Sequence, residues 1–311
     1  LFMNAQVTSQ LLMVRPANFS SNKETIETNK FQNDIEADSK NKIQPQAVSE
    51  FDKMVKLLRD HEISVIDIDD IKELENTDSV FPNNWVSFHQ DNTVVIYPMM
   101  ARSRRSEKRY DILEYLTKYQ SFKIDRIIDM SYLEEENLFL EGTGSMIFDR
   151  VNKTVFACKS SRTSLEALEI FCKDMGYNPI VFDAIIDNYP IYHTNVMMSL
   201  GKKTAFLCSE SIKDEADSLL IKNYFRDLEK NIIEISPQQM NNFAGNVIEV
   251  ENTKGVSHII MSEKAYQALD HKQLDSINSV SNIIAIPLET IERYGGGSAR
   301  CMVAEIFLEK N

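Results

Sequence analysis

The stretch EFDKMVKLLRDHEISVIDID, residues 50–69, joins an amphipathic helical pattern to a short β-branched run within a few residues. Apolar residues at helical spacing, followed by alternating Val and Ile, predict a helix that leads directly into a strand. The pattern recurs four more times along the chain. The five predicted units are 50–60 with SVIDID, 106–119 with DRIIDM, 164–175 with PIVFDA, 214–229 with NIIEIS and 262–274 with NIIAIP.

Further strand candidates lie between these units. They are NTVVIYPM (92–99), SMIFDRVNKTVFAC (145–158), KTAFLC (203–208) and VSHIIM (256–261). Each unit therefore has the predicted order ββαβ, which makes the chain an α/β protein. A period of about 50 residues with one helix per unit favours radial repetition, in which neighbouring modules close into a ring. An ordinary open α/β sheet explains the pattern equally well.

The size and composition of the chain limit its organisation. With 311 residues, of which 43% are hydrophobic and 26% charged, it can bury a large core. No low-complexity linker divides it, so we expect one domain over residues 1–311. Residues 1–10 are expected to be in part flexible or to derive from a tag.

The charge of the chain restricts its partners. A formal net charge of −13 and a pI near 5.0 argue against nucleic acid or an anionic membrane, since either requires a basic surface. A small-molecule substrate fits better. No apolar run is long enough to span a bilayer, and the start LFMNAQVTSQ has no leader pattern, so we expect a cytoplasmic protein.

One of the cysteines has an unusual setting. Cys301 follows three glycines in YGGGSARCMVAEIF, residues 294–307. The glycines permit a left-handed backbone and close approach to a ligand, and CMVAEIF predicts a strand that fixes the direction of the sulfur. A buried free cysteine after a loop is the alternative, with equal weight. The spacing of all four indicates reduced thiols: Cys158, Cys172, Cys208 and Cys301.

Two segments in the first half of the chain concentrate polar residues among apolar ones. FPNNWVSFH, residues 81–89, contains the adjacent amides Asn83 and Asn84, which could also form an ordinary Asx turn. LFLEGTGSMIFDR, residues 138–150, presents Glu141 after an apolar run and before two glycines. This position suits a carboxylate that contacts a ligand, although a solvated turn glutamate has the same pattern.

Two further segments follow. In SSRTSLEALEIF, residues 160–171, Arg162 lies beside a predicted helix N-terminus, which is a natural site for a carboxylate. In NYPIYHTNVMMSLG, residues 188–201, His193 is followed by Thr194 and Asn195 in an apolar run. A lone histidine in this setting is more often a core residue than a catalyst.

Together, a Glu, a His and a Cys beside predicted strand ends form a recognisable set. The sequence resembles the guanidine-modifying superfamily of arginine deiminases, dimethylarginine hydrolases and glycine amidinotransferases, and more closely the bacterial citrulline-utilisation hydrolases. Seven strings carry the resemblance over nearly the whole chain: LLMVRPANFSSNKETIETNKFQ, FPNNWVSFH, YPMMARSRRSEKR, LEGTGSMIFDR, SSRTS, YHTNVMMSLG and GGGSARCMVAEIF. The resemblance implies a five-bladed pseudo-symmetric α/β propeller of ββαβ modules around one active site.

The resemblance also implies roles for individual residues. Cys301 matches the nucleophile that attacks the guanidine carbon, and His193 matches the acid and base that serves the leaving nitrogen and the water. Glu141 matches the carboxylate that holds the substrate nitrogens. Arg162 and Arg104 match positions that bind the substrate carboxylate or line the pocket. A thiol is mostly protonated at pH 7, so a cationic neighbour or a bound substrate must lower its pKa, and His193 is the obvious candidate.

The chain departs from the superfamily pattern at two positions. Guanidine-acting relatives usually have an aspartate near Asn84 and another two residues after the histidine, where this chain has Asn195. A buried guanidinium normally requires opposing carboxylates, whereas a neutral ureido group needs a donor for its carbonyl, which an amide supplies. We therefore expect citrulline to be the preferred substrate, with arginine second.

Two other kinds of function remain open. An amidinotransferase would use the same residues but pass the amidino group to an amine, and a non-catalytic amino-acid-binding propeller would use Cys301 only structurally. No metal-ligand spacing is present, and GGGSAR lacks the pattern of a dinucleotide site, so we expect no metal and no cofactor. A homodimer is left open.

Overall fold

The computed structural model describes residues 5–34 and 40–311. Within these ranges, five three-stranded sheets share one connectivity. In each, the central strand is antiparallel to one neighbour and parallel to the other, and a helical connection precedes the parallel neighbour. The ββαβ order predicted from the sequence is therefore present in all five units, and the α/β class is confirmed.

The first sheet joins the two ends of the described chain. Its central strand β1 (Gln10–Arg15) pairs in parallel with β2 (Ser64–Asp69), which follows helix α1 (Lys40–Asp60). On its other side β1 pairs in antiparallel fashion with the last strand, β17 (Ala304–Glu305). The first strand of this unit therefore comes from the far end of the sequence.

The other four units follow in chain order. The second contains β3 (Val86–Phe88), β4 (Thr93–Ile96), α2 (Tyr110–Gln120) and β5 (Arg126–Asp129). The third begins with the one-turn helix α3 (Gly142–Ser145) and contains β6 (Ile147–Asp149), β7 (Thr154–Cys158), α4 (Leu165–Met175) and β8 (Asn178–Phe182). A short hairpin follows, formed by β9 (Ile185–Ile186) and β10 (Tyr189–Pro190).

The fourth unit contains β11 (Met198–Leu200), β12 (Thr204–Leu207), α5 (Glu215–Asp227) and β13 (Asn231–Glu234), and the short helix α6 (Pro237–Asn241) comes after it. The fifth contains β14 (Ile248–Glu251), β15 (Ser257–Ser262), α7 (Glu263–Ala268), α8 (His271–Asn278) and β16 (Asn282–Ile286). Helix α9 (Glu289–Gly295) then leads to the glycine run.

Some predicted boundaries are wrong. The helix expected over 106–119 begins only at Tyr110, because residues 102–107 form a separate 3₁₀ turn. The helix expected over 262–274 is two helices, since Asp270 starts α8 with a capping box. The strand expected in CMVAEIF is limited to β17, so Cys301 lies in the turn before it.

The helices bury their apolar faces in the core of the molecule. Helix α4, for example, buries Leu168 and Phe171 and ends at Gly176 in the left-handed conformation. This amphipathic packing is what the helical spacing of apolar residues predicts. No helix in residues 5–34 or 40–311 is long and apolar enough to cross a membrane.

Candidate active site

The segments that lead into the first strands of the five units converge on one place. They contain Asn84 before β3, Glu141 before β6, Asn195 before β11, Asn246 before β14 and Cys301 before β17. Helix α3 contacts both the 3₁₀ turn that ends at Asn84 and the 3₁₀ turn that contains Asn195, and the Cys301 sulfur contacts Asn195 and Asn246. The shared connectivity of the units therefore assembles a single site from distant parts of the chain.

The Cys301 thiol is 4% exposed and faces two amides. Nδ2 of Asn246 lies 3.2 Å from Sγ, and Nδ2 of Asn195 lies 3.4 Å from it. N–H donors at these distances complement negative charge on the sulfur. The backbone N–H of Cys301 donates to the Ser298 carbonyl at 2.9 Å, which fixes the turn. By contrast, burial raises the pKa of Cys158 to about 12, so that thiol stays protonated.

His193 and Glu141 form a buried pair. Nε2 of His193 lies 2.8 Å from Oε2 of Glu141. Burial lowers the pKa of His193 to about 4, although Glu141 raises it, so the imidazole is neutral at pH 7. It carries its proton on Nε2 and presents Nδ1 as the basic nitrogen. The expectation that His193 is the cation beside the sulfur does not hold for the free protein.

Glu141 is held in place through both oxygens. Oε1 accepts the backbone N–H of Met100 at 3.0 Å, and Oε2 lies 3.6 Å from Nη1 of Arg162 as well as beside His193. Burial opposes ionisation, but Arg162 and the hydrogen bond with His193 lower the pKa of Glu141 to about 2. Glu141 is therefore ionised at neutral pH and orients the histidine.

Gly144 provides the space that His193 occupies. A Cβ on Gly144 would lie 2.4 Å from Nδ2 of Asn84 and 2.8 Å from the His193 ring, closer than real Cβ atoms approach. The second glycine of the EGTG segment is therefore required by the close approach of both the Asn84 amide and the imidazole.

Arg162 lies between the His193–Glu141 pair and residues 25–28. Its Nη2 donates to the Thr25 carbonyl at 3.2 Å and to Oγ1 of Thr28 at 2.7 Å, and the guanidinium stacks on Tyr192. Its Nε is buried without a hydrogen-bond partner among the described residues. One donor of Arg162 therefore has no partner among the described residues, and its predicted role in binding a substrate carboxylate stays a prediction.

Arg104 is held by a carboxylate and an amide. It makes a bidentate pair with Glu107, at 3.0 Å and 2.8 Å, and Nη1 donates to Oδ1 of Asn84 at 3.0 Å. Since Oδ1 of Asn84 faces this donor, its Nδ2 points elsewhere, and it has no partner in the described part of the chain. Asn84 thus offers a buried N–H donor.

Asp78 is a site residue that the sequence analysis missed. It is 3% exposed, and its Oδ2 accepts Nδ2 of Asn22 at 2.8 Å and lies 3.7 Å from Arg104. Burial raises its pKa above the ordinary range, although Arg104 lowers it. Its Oδ1 has no partner within the described ranges. The only sequence signal for it is an acid six residues before Asn84 in an otherwise weakly charged run.

Asn246 was also missed. It is fully buried and donates to the Asn195 carbonyl at 3.0 Å besides contacting Cys301. A signal was present, since the Asn-Val dipeptide before β14 repeats the Asn195-Val196 dipeptide before β11. The position of a residue within its unit, compared between units, would have found it.

Asn83 has a different environment from its neighbour. It is completely buried, its backbone carbonyl accepts Oγ1 of Thr143 at 3.4 Å, and its side-chain amide has no partner among the described residues. It is not among the residues that line the cavity beside Cys301. A role for Asn83 in binding substrate stays a prediction.

The cavity that these residues line is small. It has a volume of about 20 Å³ and is bordered by Cys301, His193, Asp78 and both arginines. This is room for about one water molecule and not for an amino acid. Residues 22–33, which we call the covering segment, contribute Thr25 and Asn29 to its wall. The covering segment is therefore one of the walls that restrict the space beside Cys301.

In residues 5–34 and 40–311, no group of three or more His, Cys, Asp or Glu side chains could hold a metal ion. A larger cleft of about 520 Å³ lies between α7 and α9 and includes Glu292 in its lining. It contains neither Cys301 nor His193.

The chain matches one family model over most of its length. Residues 15–308 match the family model described as N,N dimethylarginine dimethylhydrolase, eukaryotic. No curated protein matches the sequence significantly.

Several solved structures share the fold. ArgZ, an arginine dihydrolase from the ornithine-ammonia cycle in cyanobacteria, superposes on 96% of this chain with a TM-score of 0.73 and 18% identity, and the chain spans 40% of its length. The chain spans 97% of the ArgZ N-terminal domain in its substrate complex. AgrE bound to L-arginine is 17% identical, with a TM-score of 0.73. The superposition covers 96% of this chain and 40% of the AgrE chain.

The fold is also shared with a dimethylarginine dimethylaminohydrolase, solved as its adduct with 4-chloro-2-hydroxymethylpyridine, at 15% identity and a TM-score of 0.64. The superposition covers 96% of this chain and 100% of the hydrolase chain.

Proposed function

Because the chain belongs to the N,N-dimethylarginine dimethylhydrolase family, we propose that it is a cysteine-dependent hydrolase of a guanidino amino acid. The observation that carries the proposal is that Cys301 and the neutral His193, oriented by Glu141, line one buried cavity together with two arginines and Asp78. A thiol and a base in one cavity, with the base oriented by a third group, are what nucleophilic catalysis requires.

The charged groups suit the ends of an α-amino acid. Arg162 keeps Nε for a substrate carboxylate, and Asp78 keeps Oδ1 for an ammonium group. A guanidinium and a carboxylate recognise these two groups through charge-assisted hydrogen bonds. Glu141, Asn84 and Asn195 remain for the reacting end.

In the first half of the reaction, His193 takes the proton of the Cys301 thiol as the sulfur attacks the guanidino carbon. The C–N bond to the leaving nitrogen then breaks. The imidazolium returns its proton to that nitrogen, which departs as ammonia, or as dimethylamine from a dimethylated substrate. An S-linked thiouronium group remains on Cys301.

In the second half, water attacks the same carbon while His193 removes a proton from it. The C–S bond breaks, the thiol forms again, and a ureido amino acid is released. The excess proton leaves with ammonia as ammonium. His193 thus acts as base and acid in both halves, which a neutral resting imidazole permits.

The substrate class follows from the balance of donors and acceptors. Glu141 is ionised and lies at the reacting end, and its negative charge favours a cationic guanidino group such as that of arginine. ArgZ is an arginine dihydrolase, and AgrE binds L-arginine. These relatives support arginine or a methylated arginine as the first candidate.

Citrulline is the second candidate, and Asn84 favours it. Its unpaired Nδ2 can donate to a ureido oxygen, which an aspartate could not do. If both groups are accepted, the enzyme hydrolyses arginine to citrulline and citrulline to ornithine, ammonia and carbon dioxide. Asn84 can donate to the oxygen in the second reaction.

The test is an incubation of the purified protein with arginine, Nω,Nω-dimethylarginine or citrulline, followed by measurement of ornithine, citrulline, ammonia and dimethylamine. We expect turnover of at least one guanidino substrate and none with Cys301→Ala. Cys172→Ala, which removes a buried thiol away from the cavity, is the matched control. Turnover that survives Cys301→Ala, or no turnover of any substrate, contradicts the proposal.

Glycine or ornithine added as an acceptor separates hydrolysis from transfer. A new guanidino product would indicate an amidinotransferase. We also propose that the five sheets are the blades of a closed propeller, which their common connectivity supports. A cytoplasmic location and a homodimer stay predictions.

A further inference from the structure

Glu292 is a buried carboxyl group outside the catalytic set, on the helix that precedes the cysteine loop. It lies on α9, is 2% exposed, and Oγ of Ser298 donates to its Oε1 at 2.5 Å. Ser298 is fully buried, and its carbonyl accepts the backbone N–H of Cys301 at 2.9 Å. One carboxyl group is thus connected to the nucleophile through a single residue.

The other side of the same loop is also tied to Glu292. Its backbone carbonyl accepts the N–H of Gly296, which has φ of +66° and ends α9. The Gly296 carbonyl in turn accepts the hydroxyl of Tyr192 at 2.8 Å, and the Tyr192 ring lies against His193 at a centroid distance of 4.6 Å. The loop is therefore fixed both to the helix and to the histidine segment.

From these contacts we infer that Glu292 is a positioning residue for Cys301, which acts by holding Ser298. The inference rests on the proposed function for its effect on turnover, but not for its effect on the reactivity of the thiol. The Ser298 hydroxyl has no other hydrogen-bond acceptor among its recorded contacts in the described chain. Loss of the Glu292 carboxyl group would release the Ser298 side chain and loosen the turn that aims the sulfur.

The protonation of Glu292 provides a readout that simple packing would not move. Burial raises its pKa to about 7, with Ser298, Ser262 and Lys264 acting against the shift and Glu50 adding to it. The cleft that it lines also carries Glu289 and Arg293 of α9 and Glu263 of α7, so these charges face the same space. An ionised carboxylate accepts the Ser298 hydroxyl more strongly than a neutral acid does.

The variants are Glu292→Ala, Glu292→Gln and Ser298→Ala, with Glu289→Ala as the control. Glu289 is exposed, lies on the same helix and lines the same cleft, and no hydrogen bond joins its side chain to Ser298 among the described contacts. Two quantities are measured from pH 5.5 to 9: the rate of Cys301 alkylation by iodoacetamide, from the mass of its peptide, and kcat and KM.

We expect Glu292→Ala and Ser298→Ala each to lower kcat and the alkylation rate by about 10- to 100-fold, with KM little changed, since small displacements of a reacting group have effects of this size. The double variant should be no worse than either single variant. Glu292→Gln keeps an acceptor for Ser298 and should stay within about 3-fold of the parent at pH 8. We expect the alkylation rate of the unmodified protein to rise near pH 7 as Glu292 ionises, and Glu292→Gln to lack this rise.

Three results would overturn the inference. The first is an unchanged alkylation rate and kcat in Glu292→Ala and Ser298→Ala. The others are losses that add up in the double variant, and a rise of the alkylation rate near pH 7 that persists in Glu292→Gln. If Glu292→Ala does not fold, Ser298→Ala, which removes one oxygen, makes the same comparison. If no substrate is hydrolysed, the proposed function fails, and the alkylation rates alone decide the role of Glu292.

Discussion

The imidazole of His193 and the carboxylate of Glu141 are joined by a hydrogen bond of 2.8 Å in a site from which water is nearly excluded. The second oxygen of Glu141 accepts the N–H of Met100. Both oxygens of this carboxylate therefore accept hydrogen bonds, and because the group is ionised it has no donor to offer the imidazole. The tautomer of His193 is fixed as a consequence.

This arrangement predicts a large effect of Glu141→Gln. The amide NH2 must face either the N–H of Met100 or the donors His193 and Arg162, so the imidazole loses its orientation. We expect kcat to fall by about 10²- to 10⁴-fold, the usual contribution of general acid–base catalysis. Steady-state kinetics with the best substrate measures this.

The control is Glu134→Gln. Glu134 is also buried and also accepts a backbone N–H, from Met99 at 2.8 Å, but it pairs with Lys108 away from the cavity. The Glu134→Gln variant should have a lower free energy of unfolding but an unchanged kcat. Equal losses of kcat in the two variants would count against the assigned role of Glu141.

The same pair predicts how stability depends on pH. The pKa of His193 is lowered from 6.5 to about 4 in the folded state, chiefly by burial, so the unfolded chain binds a proton that the folded chain excludes between these values. Stability should be full above about pH 6.5 and fall as the pH decreases towards 4. Glu141, with its pKa lowered from 4.5 to about 2, adds stability that is lost as the pH falls from 4.5 towards 2.

Urea unfolding of the parent and of His193→Gln at pH 7.5, 6 and 5 tests the first part. The free energy of unfolding of the variant should lack the part of the pH dependence that His193 contributes. This part amounts to at most about 3 kcal/mol over the full range. Parallel pH profiles for the two proteins would contradict the neutral state of His193.

Gly144→Ala should impair catalysis more than folding. The added methyl carbon would lie 2.4 Å from Nδ2 of Asn84 and 2.8 Å from the His193 ring, so one or both of these side chains must move. We expect kcat to fall by about 100-fold, as for other displacements of about 1 Å in a catalytic group. Gly176→Ala is the contrasting variant, because Gly176 has φ of +69° at the end of α4 and open space around it. It should cost about 1 kcal/mol of stability and leave kcat unchanged.

Asn246→Ala should slow the chemistry at Cys301. The variant removes the nearer of the two amide donors to the sulfur, at 3.2 Å, and also releases the Asn195 carbonyl. We expect kcat and the rate of thiol alkylation to fall by about 10- to 100-fold, since each lost charge-assisted hydrogen bond is worth about 1.5 to 3 kcal/mol. Asn246→Asp should be worse, because a carboxylate repels an anionic sulfur.

Asn242→Ala serves as the control for this comparison. Asn242 is partly exposed, and its amide donates only to the Gln238 carbonyl in its recorded contacts within the described chain. An effect on alkylation as large as that of Asn246→Ala would show that the loss is not specific to the sulfur.

Asp78→Asn tests which part of the substrate this carboxylate binds. If Oδ1 of Asp78 receives the α-ammonium group, KM for arginine should rise by about 10- to 100-fold, as expected for a lost charge-assisted bond. KM for 5-guanidinopentanoate, which lacks that ammonium, should hardly change. Asp70→Asn is the control, since Asp70 also has an unpaired buried oxygen but pairs with Arg109 outside the cavity. An equal rise in KM for both substrates would assign Asp78 to the guanidino group instead.

Much of the local structure follows from the sequence. The five helix-then-strand units are visible because periodicity depends on neighbours within one element, and 50–69 forms α1 and β2 as predicted, with the helix beginning earlier. The residue patterns drew attention to Cys301, His193, Glu141 and Arg162, the resemblance to the superfamily suggested their roles, and the structure brings them to one site. The chemical type of each side chain depends only on its own residue.

Tertiary structure alone decided how these parts meet. The pairing of β1 with β17 joins strands almost 300 residues apart, and no local pattern encodes such a register. Asp78 and Asn246 are site residues only because the segments before β3 and β14 converge with Cys301 on one place. Burial lowers the pKa of His193, which makes the imidazole neutral instead of cationic. Sequence specifies the elements through short-range periodicity, whereas the charge state and partners of a buried group depend on desolvation by residues that are distant in the chain.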